Sequence, residues 1–279
     1  MEVGAMLALE HSFRVVDVHA RLDPERDETA SSRGRAITPE RLEREMHQAG
    51  VVRSVVFPDA RPGESYLSAN NAVARLSVER PFVAFARING PQQSGDGATS
   101  RLQNLTASRK DWHTSPADVE QYAYDDRFHG FKINPAVDGV PDDDVLDQLE
   151  DAGLPVLVHG GETFSPAELA GTLLKRSFPV IYEHFGGHPL RRDLMDEAID
   201  MLSHHDSLHL DTSFVRYREK LERVMREHPD RVCFGSGAPS AHPNVGVMEI
   251  LTLDVPEDAM RKAFSNNPSR LVDALAPEG

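Results

Sequence analysis

The sequence predicts an α/β fold, a (β/α)8 TIM barrel forming one domain over residues 1–279. Three observations carry that expectation. Short apolar strands begin roughly every 25 residues through the second half of the chain, the length of a strand–helix unit with tight loops. A polar turn and an amphipathic helix pattern follow them, the alternation of a parallel sheet covered by helices. Eight such units fit a chain of 279 residues, within reach of one large domain. An open doubly wound sheet is the competing arrangement. No Gly-rich turn follows the first strand, as the nucleotide site of that fold would require.

In chain order, strands are expected at Arg14–His19, Val51–Phe57, Pro81–Asn89, Phe131–Asn134, Pro155–His159, Pro179–His184, Ser207–Thr212 and Arg231–Ser236. Thr38-Pro39 opens a helix with Leu42, Met46 and Ala49 on one face and Gly50 as its stop. Asp144–Ala152 places Val145, Leu146 and Leu149 together, and Gly153 then Pro155 end it. The acidic run Asp142-Asp143-Asp144 sits where negative charge favours a helix N-terminus. Ser165-Pro166-Ala167-Glu168 combines an N-cap, a first-turn proline and a capping-box carboxylate. Two polar stretches, 21–35 and 91–115, both follow strands and so overlie one end of the barrel. Cys233 lies within the last strand, as a buried filler.

Composition narrows the partners. The chain holds 30 Lys and Arg against 45 Asp and Glu, a net charge of −15, which excludes the clustered basic surface that nucleic acid demands. No apolar run approaches the ~18 residues of a membrane span, and Met1-Glu2-Val3-Gly4 lacks a signal peptide's basic start. A single cysteine forms no internal disulfide and no cysteine zinc knuckle. The expectation is a cytoplasmic protein acting on a small carboxylated molecule, without nucleic-acid or membrane partners; a second copy in a homodimer is the candidate protein partner. The composition also has 25 Arg but 5 Lys, the pattern of a GC-rich genome or a salt-adapted proteome. Asn104-Leu105-Thr106 matches the N-glycosylation pattern but is inert in a cytoplasmic chain.

In a barrel of this type the C-terminal strand ends face the active site. Those ends read Asp17, His19 and Arg21, then Arg87 and Asn89, Lys132 and Asn134, His159, Glu183 and His184, Asp211, and finally Gly235-Ser236-Gly237. Strict alternation would turn Asp17, His19 and Arg21 inward and leave Val16, Val18 and Ala20 against the helices. Several of the 13 histidines, namely His47, His204, His205 and His228, fall in helical patterns as surface residues. Three imidazoles at three strand ends are instead the material of a metal site or of acid–base chemistry.

Several segments carry a family resemblance. Val15-Val16-Asp17-Val18-His19-Ala20-Arg21, Gly130-Phe131-Lys132-Ile133-Asn134-Pro135, Pro155-Val156-Leu157-Val158-His159, Pro179–Gly187, Arg231–Ser236 and Asn266–Leu271 occur in order across nearly the whole chain. Together they resemble the amidohydrolase superfamily, in the branch that includes aminocarboxymuconate-semialdehyde decarboxylase. The resemblance implies a divalent metal held by two strand-one histidines, a strand-five histidine and a strand-eight aspartate, with a strand-six histidine as acid–base residue. His19, His159 and His184 occupy matching positions, while the second strand-one position is Arg21 and the strand-eight position is Gly237. An arginine 8 Å from a dication is repelled by about 4 kcal/mol at an effective dielectric near 20, so the two departures read as coupled.

The primary expectation is therefore an amidohydrolase-like hydrolase of lactone, ester or amide type, working without a cofactor. In it His184 is the acid–base residue, Asp211 or Glu183 orients it, and Arg21, Lys132 and Arg87 bind the anionic substrate. Pyrone dicarboxylate lactonase is a similar metal-independent case, although such members keep the strand-eight aspartate. One alternative is a zinc-dependent hydrolase or decarboxylase with His19, His159 and His184 as ligands, which requires Arg21 to swing outward. The other is a non-catalytic barrel that binds a small anion.

Overall fold

The computed structural model describes residues 10–26, 28–31, 34–95, 102, 104 and 106–277. Eight parallel strands lie side by side in chain order: β1 Val15–Arg21, β2 Val51–Phe57, β3 Phe82–Arg87, β4 Phe128–Ile133, β5 Val156–Val158, β6 Val180–Tyr182, β7 Leu208–Asp211 and β8 Val232–Cys233. The chain after β8 closes the ring onto β1: Val18 N donates to Phe234 O (2.9 Å), Arg21 N to Ala238 O (2.8 Å) and Gly237 N to His19 O (2.9 Å). This is the (β/α)8 barrel. Among the described residues no helix is long and apolar enough to cross a membrane. Leu105, in the glycosylation-like tripeptide, lies outside the described residues.

The helices form where their end signals stand. Thr38 Oγ1 accepts from Arg41 N at 3.2 Å to start Pro39–Gln48. Asp142 accepts from Val145 N at 3.3 Å ahead of Asp143–Ala152, which Gly153 ends in the left-handed region. The capping box of Ser165 and Glu168 is complete in both directions. A second box, Ser115 with Asp118, starts Pro116–Tyr124 directly after the polar stretch 91–115.

Two apolar layers result. The inner one takes Val16, Val18, Val55, Phe57, Val83, Phe85, Leu157, Ile181 and Cys233 from six of the strands, with Val272 and Leu275 beneath them. The C-terminal turn thus plugs the lower end of the barrel, where Leu275 O accepts from Arg14 Nη2 (2.7 Å) and Ala274 O from Arg53 Nη1 (3.0 Å). The outer layer packs the remaining strand faces against the helices.

The expected alternation along β1 is corrected here. Asp17 pairs with Ser54 and Ala20 with Val56, so three residues of β1 span two of β2, a bulge with one extra residue. Val16 and Val18 consequently join the inner layer, and Ala20 joins the outer one. Asp17 braces the barrel seam: it accepts from His19 N (2.9 Å), Ser236 N (2.8 Å), Ser236 Oγ (2.7 Å) and Ser54 Oγ (3.2 Å). Beyond the bulge, His19 and Arg21 reach the upper cavity.

Candidate active site

A cavity of about 200 Å³ opens at the C-terminal ends of the strands, bounded by side chains from β1 to β6 and by Phe214 after β7. Its floor is one hydrogen-bonded cluster. His19 Nδ1 donates to Asp211 Oδ2 at 2.6 Å, and His19 Nε2 lies 3.7 Å from Glu183 Oε1. Lys132 donates to the same Glu183 Oε1. The other oxygen, Oε2, accepts from His159 Nδ1 at 3.1 Å and lies 3.7 Å from His184 Nε2. His184 Nδ1 donates to Ser213 O at 3.0 Å, which leaves Nε2 as the nitrogen facing the cluster.

The backbone is bent to make this arrangement. His184 and Phe185, at the end of β6, both have positive φ (60° and 50°), as does Phe214 (57°). Each such residue costs on the order of 1–2 kcal/mol, and strain of this kind gathers at functional sites. Glycine does the complementary work just after β8. A Cβ at Gly235 would stand 2.3 Å from Asp211 Oδ1, so only glycine leaves that carboxylate room beside His19.

Charge divides the cluster into distinct states. Burial opposes ionisation of Glu183, but His19 and Lys132 outweigh it and hold the carboxyl well below the usual glutamate range. Burial likewise opposes a charged His19, yet Glu183 and Asp211 raise it above the ordinary histidine value. His184 moves the other way: burial, reinforced by His159, keeps its imidazole neutral. Burial also lowers Lys132 despite its ion pair with Glu183.

His19, Lys132, His159, His184 and Asp211 are brought together here. Arg21 and Arg87 line the same cavity but are committed elsewhere. The Arg21 guanidinium bonds to Asp59 at the mouth and to Ala30 O at 3.4 Å, so it is not lodged among the imidazoles. Arg87, almost wholly buried, donates to Asp138 Oδ2 (2.9 Å) and Pro58 O (3.1 Å). Sequence reasoning missed Asp59, two residues past the end of β2, although the strand-end rule applied there equally. It also missed His188, whose ring centroid is 5.1 Å from that of His159 and 5.2 Å from that of His184. Its signal was its place directly after the Gly186-Gly187 turn. Phe57 and Phe214 supply apolar ring faces, with centroids 5.6 Å from His19 and 5.3 Å from His184.

The donors present suit a divalent metal. Among the described residues, His159, Glu183 and His184 each offer a ligand atom within 4.8 Å of the others. Two imidazoles and a carboxylate with an open fourth position is a zinc-type catalytic donor set.

A family model described as amidohydrolase matches residues 16–274. No curated protein matches. Among solved structures, an uncharacterised TIM-barrel protein from Bordetella bronchiseptica is 19% identical with a TM-score of 0.66, covering 94% of this chain and 99% of its own. The 5-carboxyvanillate decarboxylase of Sphingomonas paucimobilis is 16% identical with a TM-score of 0.63, covering 94% and 99%. A 2,6-dihydroxybenzoate decarboxylase from Rhizobium is 15% identical with a TM-score of 0.60, covering 93% and 98%. At such identities the likeness shows the shared barrel.

Proposed function

The chain belongs to the amidohydrolase family, and from that premise we propose that it is a decarboxylase of a small, ring-bearing carboxylic acid. One observation carries the reading: His19 faces carboxylates at both ring nitrogens, Asp211 at 2.6 Å and Glu183 at 3.7 Å, inside the cavity. An imidazole with an acceptor on each side is held as a proton donor. Loss of carbon dioxide from a ring needs one proton delivered to carbon, and it needs no attacking water. Two of the structures with the same barrel are decarboxylases of hydroxylated benzoates, which supports this reading over hydrolysis.

The roles follow from position. Arg21 at the mouth attracts the anion, and the Phe57 and Phe214 faces contact the ring. His19 gives its proton to the carbon bearing the carboxylate. The bond from that carbon to the carboxylate then breaks, its electron pair returns to the ring, and carbon dioxide leaves. Solvent reprotonates His19, which Asp211 keeps in orientation. Lys132 neutralises Glu183, so two buried carboxylates stand near one imidazolium without excess negative charge. A divalent ion held by His159, Glu183 and His184 would supply Lewis-acid polarisation of a substrate oxygen when bound.

Hydrolysis of a lactone or ester is the second reading, favoured by His184. Its Nδ1 hydrogen is spent on Ser213 O, so neutral Nε2 is available as a base toward water. The test is a panel of hydroxybenzoates with the corresponding lactones and esters, assayed for carbon dioxide and for uptake of labelled solvent oxygen. Decarboxylation predicts carbon dioxide release, one solvent deuterium on the product carbon, and a loss of about 10²–10⁴ in kcat for His19→Gln. Labelled oxygen in the product without carbon dioxide would establish the hydrolase instead. Absence of turnover on every compound would leave the anion-binding barrel.

A further inference from the structure

We infer that Arg87 and Asn134 anchor a second anionic group of the substrate, one that stays on the ring while the other departs as carbon dioxide. That the group is retained rests on the decarboxylase reading above; the anion site itself stands on the geometry. Arg87 ends β3, is 2% exposed and lines the cavity. Its Nε and Nη1 are spent on Asp138 Oδ2 (2.9 Å) and Pro58 O (3.1 Å), and its Cζ lies over the Tyr66 ring, 5.3 Å from the centroid. The third nitrogen, Nη2, has no acceptor among the described residues. A rigid, permanently charged fork is thus gripped at one side and keeps two N–H groups for a ligand.

Asn134 stands just past β4 on the same cavity. Its backbone N donates to the same Asp138 Oδ2 at 3.2 Å, so one carboxylate fixes both residues, and Tyr66 OH donates to the other oxygen of that carboxylate at 2.5 Å. The Asn134 carboxamide caps no helix, and its Oδ1 is enclosed without a partner. Nδ2 likewise meets no acceptor among the described residues. The unspent nitrogens of this wall are therefore donors, one of them charged, and their complement is a carboxylate or an ionised hydroxyl. Charge decides which anion of the substrate belongs there. A carboxylate leaving as carbon dioxide loses its charge, so bonds to Arg87 would hold it more tightly in the ground state than in the transition state and slow the step. An anion that keeps its charge meets the same bonds throughout. The reacting carboxylate then lies toward His19, and Arg87 holds a substituent that the reaction leaves alone. A cavity of about 150 Å³ takes one benzene molecule. This one has about 200 Å³, so the substrate class is a single small ring with two anionic oxygen groups.

The probes are the three benzenedicarboxylates and their monoamides, titrated by calorimetry into the full chain near neutral pH. The members of each pair have the same shape and differ by one charge, which separates the anion from the ring. At least one dicarboxylate should bind about tenfold or more tightly than its monoamide, the margin of hydrogen bonds to charged over neutral partners. Arg87→Lys, which keeps a cation beside Asp138 but has no Nη2, should abolish that preference. Asn134→Leu, whose lost carboxamide bonds nothing in the protein, should narrow it severalfold; thermal melts confirm that both variants fold. Equal binding of every dicarboxylate and its monoamide would overturn the inference, and so would a preference undiminished in Asn134→Leu or in folded Arg87→Lys. Retention is read on turnover. With a ring diacid that releases carbon dioxide, Arg87→Lys should raise KM about tenfold and weaken inhibition by the product to the same degree. A fall in kcat with product inhibition unchanged would put Arg87 on the departing carboxylate and overturn its retained role. Absence of carbon dioxide release would remove the decarboxylase reading and the retained role with it, while the calorimetry, which needs no turnover, still decides the anion site.

Discussion

Asp59 accepts from Arg21 and, at 3.5 Å, from Arg26, so the mouth of the cavity carries its own carboxylate where an anionic substrate would dock. The pair is only partly covered, with 25% and 15% of the two side chains exposed, and ion pairs of that kind are worth about 1 kcal/mol at most. Asp59→Asn should therefore lower KM for an anionic substrate by about fivefold, the factor ~1 kcal/mol represents, and leave kcat in place. Separate determination of KM and kcat checks this; an unchanged or higher KM would show that Asp59 does not compete for Arg21. At this scale the sequence named the groups but not their pairings. The sequence expectation gives Arg21, Arg87 and Lys132 as substrate-binding groups, and the fold sets a carboxylate of the protein beside each of them. Those partners, Asp59, Asp138 and Glu183, lie 38, 51 and 51 residues away in the chain, beyond the reach of any local pattern.

Among the elements, β1 and β8 show how one residue redirects a strand. The extra residue between Asp17 and Ala20 turns Asp17 from the cavity into the seam, where Ser54 of β2 and Ser236 in the turn after β8 meet it. At the far side of that seam Gly237 has φ of +70°, and the Phe214 ring fills the space ahead of it. Gly237→Asp should cost at least about 1–2 kcal/mol from the left-handed backbone alone, with displacement of the ring added. A clear fall in the thermal midpoint is expected, partly recovered when Phe214 is also replaced by glycine. A Gly237→Asp protein melting at the parent's temperature would contradict this account. Strand and helix positions were legible because apolar runs, caps and stops are local signals. The bulge was not, since it follows from hydrogen bonding between β1 and both of its neighbours.

For the molecule as a whole, one buried group makes stability depend on acidity outside the candidate site. His209 on β7 is buried, and burial, aided by Arg231, lowers its pKa to about 4. The folded state therefore keeps it neutral while the unfolded chain takes up a proton near pH 6.5. Its contribution is complete above pH 6.5 and is lost as pH falls through that window toward 4. Between pH 7 and 5 this amounts to about 2 kcal/mol of unfolding free energy. His209→Gln should show a correspondingly smaller drop in urea stability over the same interval. An identical drop in both proteins would mean that His209 titrates normally.

By itself the sequence determined the barrel, the order of its strands, and the set of strand ends whose side chains gather at one mouth, because periodicity and end signals act over a few residues. Tertiary structure alone decided which carboxylate meets which cation, that Glu183 is the hub of the imidazoles, and that Arg21 stands at the rim. Those outcomes depend on distances between segments far apart in the chain, and such distances exist only once the ring of strands has closed.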